Sequence, residues 1–218
     1  MERFIDIDTI SDGKKYTASD MVKIGCNDCL GCSSCCTNME GLITLDPYDI
    51  YRMQKGNVCS AFEELLGKNI ELTVDKALLV PSLKMDVESH GCTFLNATGR
   101  CSIHDSRPGI CRLFPMGRLY ADSTFYYFLQ KDECHYSNKT KVKLKKWIDT
   151  PELSKYEKYI CDWHYLQNDL KEYFMNAGEE EIKQINTVIL QIFYINAYND
   201  DFYADFYSRY EKVKSLIG

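Results

Sequence analysis

The last third of the chain carries apolar residues at helical spacing. Between residues 150 and 176 they recur in steps of three, four or a doubled step, which places them on one face of a helix: Leu153, Tyr156, Ile160, Trp163, Leu170 and Phe174. Thr150 is a candidate N-cap, Pro151 suits the first helical position, and Gly178 ends the pattern. The pattern predicts one long amphipathic helix.

Two further helices are predicted after this one. The second begins with three glutamates at 179–181, which suit the positive end of a helix dipole. Its apolar residues are Ile182, Ile185, Ile189, Ile192 and Phe193. The third is capped at Asn199-Asp200, and its apolar positions are Phe202, Phe206, Val213 and Leu216. The C-terminal region is therefore predicted to be helical.

Earlier in the chain the pattern is short and interrupted. A helix is predicted from Pro47, capped by Asp46 and ended by Gly56, and a shorter one between Ser60 and Gly67. Short apolar runs predict strands at 42–45, 70–74, 78–80 (ended by Pro81) and 125–129. Frequent glycine and proline between residues 90 and 138 predict loops.

These elements together predict an α+β fold. Residues 1–25 form a lead-in segment, and 26–138 form an irregular, cysteine-rich metal-binding module with short strands. Residues 139–218 form an α-helical C-terminal region that covers the module, either as a separate layer or as part of one domain. The apolar stripes of these helices can pack on one another, so the helical layer is expected to survive without metal.

Composition places the chain among ordinary globular proteins and narrows its partners. Its 218 residues are 45% hydrophobic, which excludes disordered and fibrous classes. The formal net charge of −6 disfavours a general nucleic-acid binder.

Cysteine is the residue type that departs from the norm, with 11 in the chain. The N-terminal sequence lacks the apolar core of a signal peptide, and no apolar run reaches the roughly 20 residues of a membrane helix. We therefore expect a cytoplasmic protein without membrane contact, in which thiols stay reduced. An odd count, with five cysteines between residues 26 and 36, also argues against a disulfide framework.

The cysteines fall into two groups and two outliers, Cys161 and a lone Cys59 that is expected to be no ligand. The first group repeats a C-x2-C step: Cys26, Cys29, Cys32, Cys35 and Cys36. The second lies on predicted loops: Cys92, Cys101, Cys111 and Cys134. Cys161 lies three residues before His164 on the long helix and is a further candidate ligand. A C-x2-C step points two thiolates at one ion, so we predict metal ligands from both groups.

Several segments together resemble the YkgJ-type cysteine-cluster family, also called the CxxCxxCC family. The resemblance covers about residues 26–134 and rests on Cys29-x2-Cys32, Cys35-Cys36, Cys92-x-Phe94-Leu95, Cys101-x-Ile103 and Arg107-Pro108-x2-Cys111-Arg112-x-Phe114-Pro115. Cys26 extends the first motif by one step, and His104 stands where many relatives have tyrosine. Membership implies binding of zinc or of an iron–sulfur cluster. Distant relatives include flagellin lysine methylases, which adds an enzymatic alternative.

Thiolate ligands suit both an iron–sulfur cluster and zinc. Three consecutive C-x2-C steps resemble the run of bacterial ferredoxins, although the closing Cys-Pro of that run is absent. The main interpretation is a cytosolic protein with a cysteine-ligated iron–sulfur cluster, used for redox chemistry, sensing or metal handling. The alternatives are a zinc-stabilised interaction module and an iron–sulfur-dependent enzyme similar to the methylases.

A basic run offers a second candidate for function. Lys139, Lys141, Lys143, Lys145 and Lys146 are interleaved with apolar residues in an acidic chain. A solvated strand or helix start explains such a run, and so does a docking site for an unidentified acidic protein partner or, less in keeping with the net charge, for nucleic acid. Arg107 and Arg112, in the metal loop, are expected to balance the charge of a thiolate cluster.

Overall fold

The computed structural model describes residues 7–27 and 32–218. The helices in this part of the chain are α1 (Ile7–Ile10), α2 (Pro47–Lys55), α3 (Gly109–Leu113), α4 (Leu144–Ile148), α5 (Leu153–Phe174), α6 (Glu179–Leu190) and α7 (Phe202–Ile217). A π-helical turn at Gln191–Ile195 prolongs α6. None of the helices in the described ranges has the length and apolar composition needed to cross a bilayer.

The strands are β1 (Met21–Gly25), β2 (Ile70–Asp75), β3 (Leu78–Leu83), β4 (Met116–Ala121), β5 (Thr124–Leu129) and β6 (Thr140–Lys143). Within the described residues they form three antiparallel pairs, β1 with β6, β2 with β3, and β4 with β5. Short strands in the front half and helices at the C-terminal end confirm the predicted α+β fold.

The main hydrophobic core extends from the cysteine-rich part into the C-terminal helices. Trp163 of α5 packs edge-on against Phe193, with ring centroids 5.0 Å apart. Tyr159 packs against Phe206 of α7 at 4.5 Å. Phe94, between two of the cysteines, belongs to the same buried cluster. The helices and the cysteine-rich segments therefore share one core.

A smaller core lies under the β1–β6 pair. Its buried members come from β1, β4, β5, α3 and α4: Val22, Ile24, Leu113, Met116, Tyr127, Leu144 and Ile148. Strand β1 lies within residues 1–25, so part of the predicted lead-in segment is integrated into the fold. Its sequence alternates too briefly to have been recognised as a strand.

The predicted helix at Pro47 is confirmed, with reciprocal capping. The carboxylate of Asp46 accepts the Asp49 N–H (3.0 Å), and the carboxylate of Asp49 accepts the Asp46 N–H (3.1 Å). Such a capping box satisfies two backbone donors that a helix start leaves open. It fixes both carboxyl groups in the interior.

Other predicted boundaries are wrong. Pro81 does not end β3, because it lies opposite Leu72 and its carbonyl accepts the Leu45 N–H at 2.8 Å. The run 42–45 contributes a single bridge at Thr44 rather than a strand. The predicted helix after Ser60 is reduced to one 3-10 turn, Phe62–Glu64.

Two C-terminal helices also begin later than predicted. Helix α5 starts at Leu153, after Glu152 in a left-handed conformation (φ 49°), so Pro151 lies in a turn. Helix α7 is capped by Asp201, whose carboxylate accepts the Ala204 N–H at 3.1 Å. A polar residue just before a helix marks the cap only to within a few positions.

Candidate metal centre

Backbone hydrogen bonds join the first cysteine run to the second group. The Cys92 N–H donates to the Cys36 carbonyl (2.7 Å), and the Asn38 N–H donates to the His90 carbonyl (2.9 Å). Cys36 itself belongs to a 3-10 turn, Ser34–Cys36. These contacts close a long loop and hold two distant segments side by side.

Cys101 is brought to the same place by a tight turn. The Asn96 side chain accepts the Arg100 N–H at 2.9 Å, and Cys101 forms a β-bridge with Leu95. Asparagine side chains stabilise turns in this way by bonding to backbone a few residues on. The turn therefore brings Cys101 back beside the segment that follows Cys92.

Cys111 lies on α3, which contacts Asp49 of α2 and Tyr156 of α5. The Gly109 N–H donates to Oδ1 of Asp49 at 2.7 Å. A Cβ atom at Gly109 would collide with the hydroxyl of Tyr156. Because Tyr156 and Asp49 are both buried, these two contacts closely fix the position of α3.

Cysteines of both groups surround one cavity of about 250 Å³, here called the cysteine cavity. Of the cysteines in the described residues, these line it: Cys26, Cys32, Cys35, Cys36, Cys92, Cys101, Cys111 and Cys134. Apolar side chains such as Phe94 and Phe114 complete its wall. The structure thus brings the two groups together, as the sequence predicts.

The thiols do not close on a single point. Among residues 7–27 and 32–218, no three cysteine, histidine, aspartate or glutamate side chains are arranged to hold a metal ion. Cys29 is also a predicted ligand, and it lies outside the described residues. The described thiols are suitable ligands for a sulfur-ligated metal centre, but they do not surround a single ion position in this structure.

Electrostatics distinguish the thiols within the cavity. A hydrogen bond from Cys36 lowers the pKa of Cys35 to about 7 and raises that of Cys36. Burial raises the pKa of Cys111 well above its usual value, and burial also raises the pKa of Cys92 and Cys101. The thiolate of Cys35 therefore forms readily near neutral pH, whereas Cys36, Cys92, Cys101 and Cys111 need a positive partner to ionise.

Cys161 is not brought to this cavity. Its thiol donates to the Ser123 carbonyl (3.4 Å), and it lines a separate cavity of about 600 Å³. His164, three residues later, stacks on Tyr120 with ring centroids 3.7 Å apart. Cys59 is buried in the main core, where burial raises its pKa. Neither the Cys161–His164 pair on α5 nor Cys59 belongs to the cysteine cavity.

A model of the CxxCxxCC family matches residues 28–142 and is described as a "Putative zinc- or iron-chelating domain". The match covers more than half of the 218 residues. The chain belongs to the CxxCxxCC family. The resemblance found in the sequence is thereby confirmed. No curated protein and no solved structure matches the chain.

The CxxCxxCC match contains most of the cysteine cavity. It runs from before Cys29 to beyond Cys134, and it leaves out Cys26, Cys161 and the helices from α4 onward. The family is described by chelation of zinc or iron, and most residues of the cavity wall lie within the matched segment.

A buried carboxylate pair below the cavity was not predicted as part of the site. Asp46 and Asp49 are both buried, and the positive charge of Arg112 lies near them. Arg107 is among the residues that line the cavity and Arg112 is not. The positive charge of Arg112 acts on these two carboxyls, and its Nη1 donates to the Arg107 carbonyl (3.0 Å). The capping-box spacing Asp46-x2-Asp49 was the available signal.

This pair makes stability depend on pH. Burial, together with the charge of Asp46, raises the pKa of Asp49 to about 7. In the unfolded chain an aspartate ionises at about pH 4. Between these values the folded state binds more protons, so the unfolding free energy falls as pH rises, by up to about 1.4 kcal/mol per pH unit.

We expect this slope in urea unfolding of the metal-free protein between pH 5 and 7. Asp49→Asn keeps an oxygen acceptor for Gly109 but does not titrate, so its slope should be shallower. A variant with the slope of the wild type would show that Asp49 does not titrate in this window.

Proposed function

We propose that the cysteine cavity binds an iron–sulfur cluster and that the protein acts in redox chemistry, sensing or metal handling. The observation that supports this is that the first cysteine run meets the second group on one cavity, which eight of the described cysteines line. An iron–sulfur cluster and a structural zinc ion each take four protein ligands, so these thiols are sufficient for either. The three consecutive C-x2-C steps of the first group resemble the run that holds clusters in bacterial ferredoxins, which favours a cluster.

The residues of this chain have distinct parts in such a centre. Cys35, whose pKa is about 7 through its hydrogen bond from Cys36, offers the first thiolate. Arg107 lines the cavity and adds a positive charge that favours ionised thiols there. Phe94 and Phe114 limit access of water. A bound cluster would supply reversible one-electron transfer.

Metal binding requires the thiols to move inward from where they now stand. Cys35 lies in the 3-10 turn Ser34–Cys36 and Cys101 follows the turn at Asn96, whereas Cys111 is held on α3. Small shifts of the two turns would bring their sulfur atoms towards Cys111 without disturbing the core. A reducing compartment such as the cytoplasm would keep the thiols available.

Anaerobic purification tests the proposal. We expect brown protein with broad absorption near ~400 nm, the signature of a thiolate-bound cluster, and with iron and acid-labile sulfide in similar amounts. Elemental analysis of the same sample measures zinc. Colourless protein with stoichiometric zinc and no sulfide would contradict the cluster and favour a zinc-stabilised interaction module.

A further inference from the structure

The β1–β6 pair places lysines opposite one another. Lys23 lies directly across from Lys141, and both side chains are exposed. Residues opposite each other in an antiparallel pair project from the same face of the sheet, and like charges in such positions destabilise it. The fold therefore holds two ammonium groups side by side where neutral residues would be more stable.

Four more lysines extend this surface. Alternation along the strand puts Lys143 on the same side as Lys141, and Lys139 immediately precedes β6. Lys145 and Lys146 are exposed at the start of α4. We call these six residues the lysine face: Lys23, Lys139, Lys141, Lys143, Lys145 and Lys146.

The charge of the lysine face is not neutralised within the described part of the chain. The ion pairs found there use other lysines: Lys55, Lys155, Lys158, Lys171, Lys183 and Lys214. The chain has 32 acidic residues to supply partners. The chain has a net charge of −6, so the lysine face is a cationic surface on an otherwise acidic protein. Such a surface attracts anions to one side of the molecule.

The lysine face adjoins the cysteine cavity. Trp147 follows Lys146 directly, lines the cavity, and donates its Nε1–H to the Phe114 carbonyl at 3.1 Å. Cys26 follows the last residue of β1 and lines the cavity as well. A molecule bound to the lysine face would therefore lie beside the thiols.

We propose that the lysine face docks an acidic protein partner, whose carboxylates meet the lysine side chains. Nucleic acid is the other common anionic macromolecule. Binding of single strands relies on aromatic platforms and on arginine, but the lysine face has no arginine and its neighbouring Trp147 ring is turned to the cavity. The proposal goes beyond metal binding and holds whichever metal the cavity takes.

Binding of a fluorescent polyglutamate peptide to the full-length, metal-loaded protein at low salt tests this. The variant is Lys141→Gln/Lys145→Gln, and the control is Lys68→Gln/Lys212→Gln, which removes two exposed charges elsewhere. We expect the first variant to weaken binding about tenfold and the control to change it less than about twofold. Circular dichroism and metal content should be unchanged in both.

Three results would overturn the proposal. The first is the absence of saturable polyglutamate binding. The second is equal weakening in both variants, which would reduce the effect to net charge. The third is tighter binding of a single-stranded oligonucleotide of matched charge, lost in the first variant, which would assign the lysine face to nucleic acid.

Discussion

Cys111→Ala is expected to lose most of its bound metal. Cys111 lies on α3, which is clamped between Asp49 and Tyr156, so a neighbouring thiol cannot easily take its place. Because metal binding free energy contributes to folding free energy, stability of the loaded protein should fall by several kcal/mol. Iron, sulfide and zinc content, with urea unfolding, measure both effects.

Cys59→Ala is the matched control, since it removes the same thiol from another buried site. Cys59 lies in the main core with only 7% of its surface exposed. Its loss leaves a small cavity, which costs about 1 kcal/mol, and metal content should be unchanged. Equal metal loss in the two variants would contradict our separation of cavity cysteines from core cysteines.

The helices should be retained when Cys111→Ala loses its metal. The aromatic contacts of α5 with α7 and with the turn after α6 involve no cavity residue, so the far-ultraviolet circular dichroism signal should persist. Melting of the helices together with metal loss would instead make the whole chain one metal-dependent domain.

Gly109→Ala is expected to have an effect almost as large on metal content. The added methyl group collides with the hydroxyl of Tyr156, a side chain with no exposed surface and so little freedom to move. Overpacking of this kind costs about 1–3 kcal/mol, and here it also displaces the helix that carries Cys111. Thermal unfolding and metal analysis measure the two consequences.

Gly178→Ala separates the collision from the general effect of replacing glycine. Nothing lies within 4 Å of a Cβ atom at Gly178, and its backbone conformation is open to alanine. Gly178 is the N-cap of α6, where alanine is less favourable than glycine, so a loss of at most about 1 kcal/mol and full metal content are expected. If both glycine variants behave alike, Tyr156 does not constrain α3.

Local patterns predicted the longer helices, α2, α5, α6 and α7, because each carries its own apolar period, whereas the short helices α1, α3 and α4 were not predicted. The long run from Leu153 to Phe174 and the capping box at Asp46 are complete within a few turns. Strand β4 was missed because Met116-Gly117-Arg118 lacks alternation, and only its pairing with β5 makes it a strand.

The cysteines around the cavity were predictable from the sequence, whereas their surroundings were not. Spacing singled out the first group, and predicted loops with the family motifs singled out the second. It also suggested Cys161, which the structure places at the carbonyl of Ser123. The role of Asp49 could not be read from sequence, because Gly109 lies 60 residues away and their hydrogen bond exists only in the folded chain.

The hydrogen bond between Cys92 and Cys36 bears on the order of events during synthesis. The first cysteine run leaves the ribosome well before its partner segments, and Tyr156, which seats α3, is made later still. Contacts between such distant segments form late, since a long loop must close first. The nascent thiols therefore remain unshielded until α5 has been made, so assembly of the metal centre is expected to follow translation and to need protection from oxidants until then.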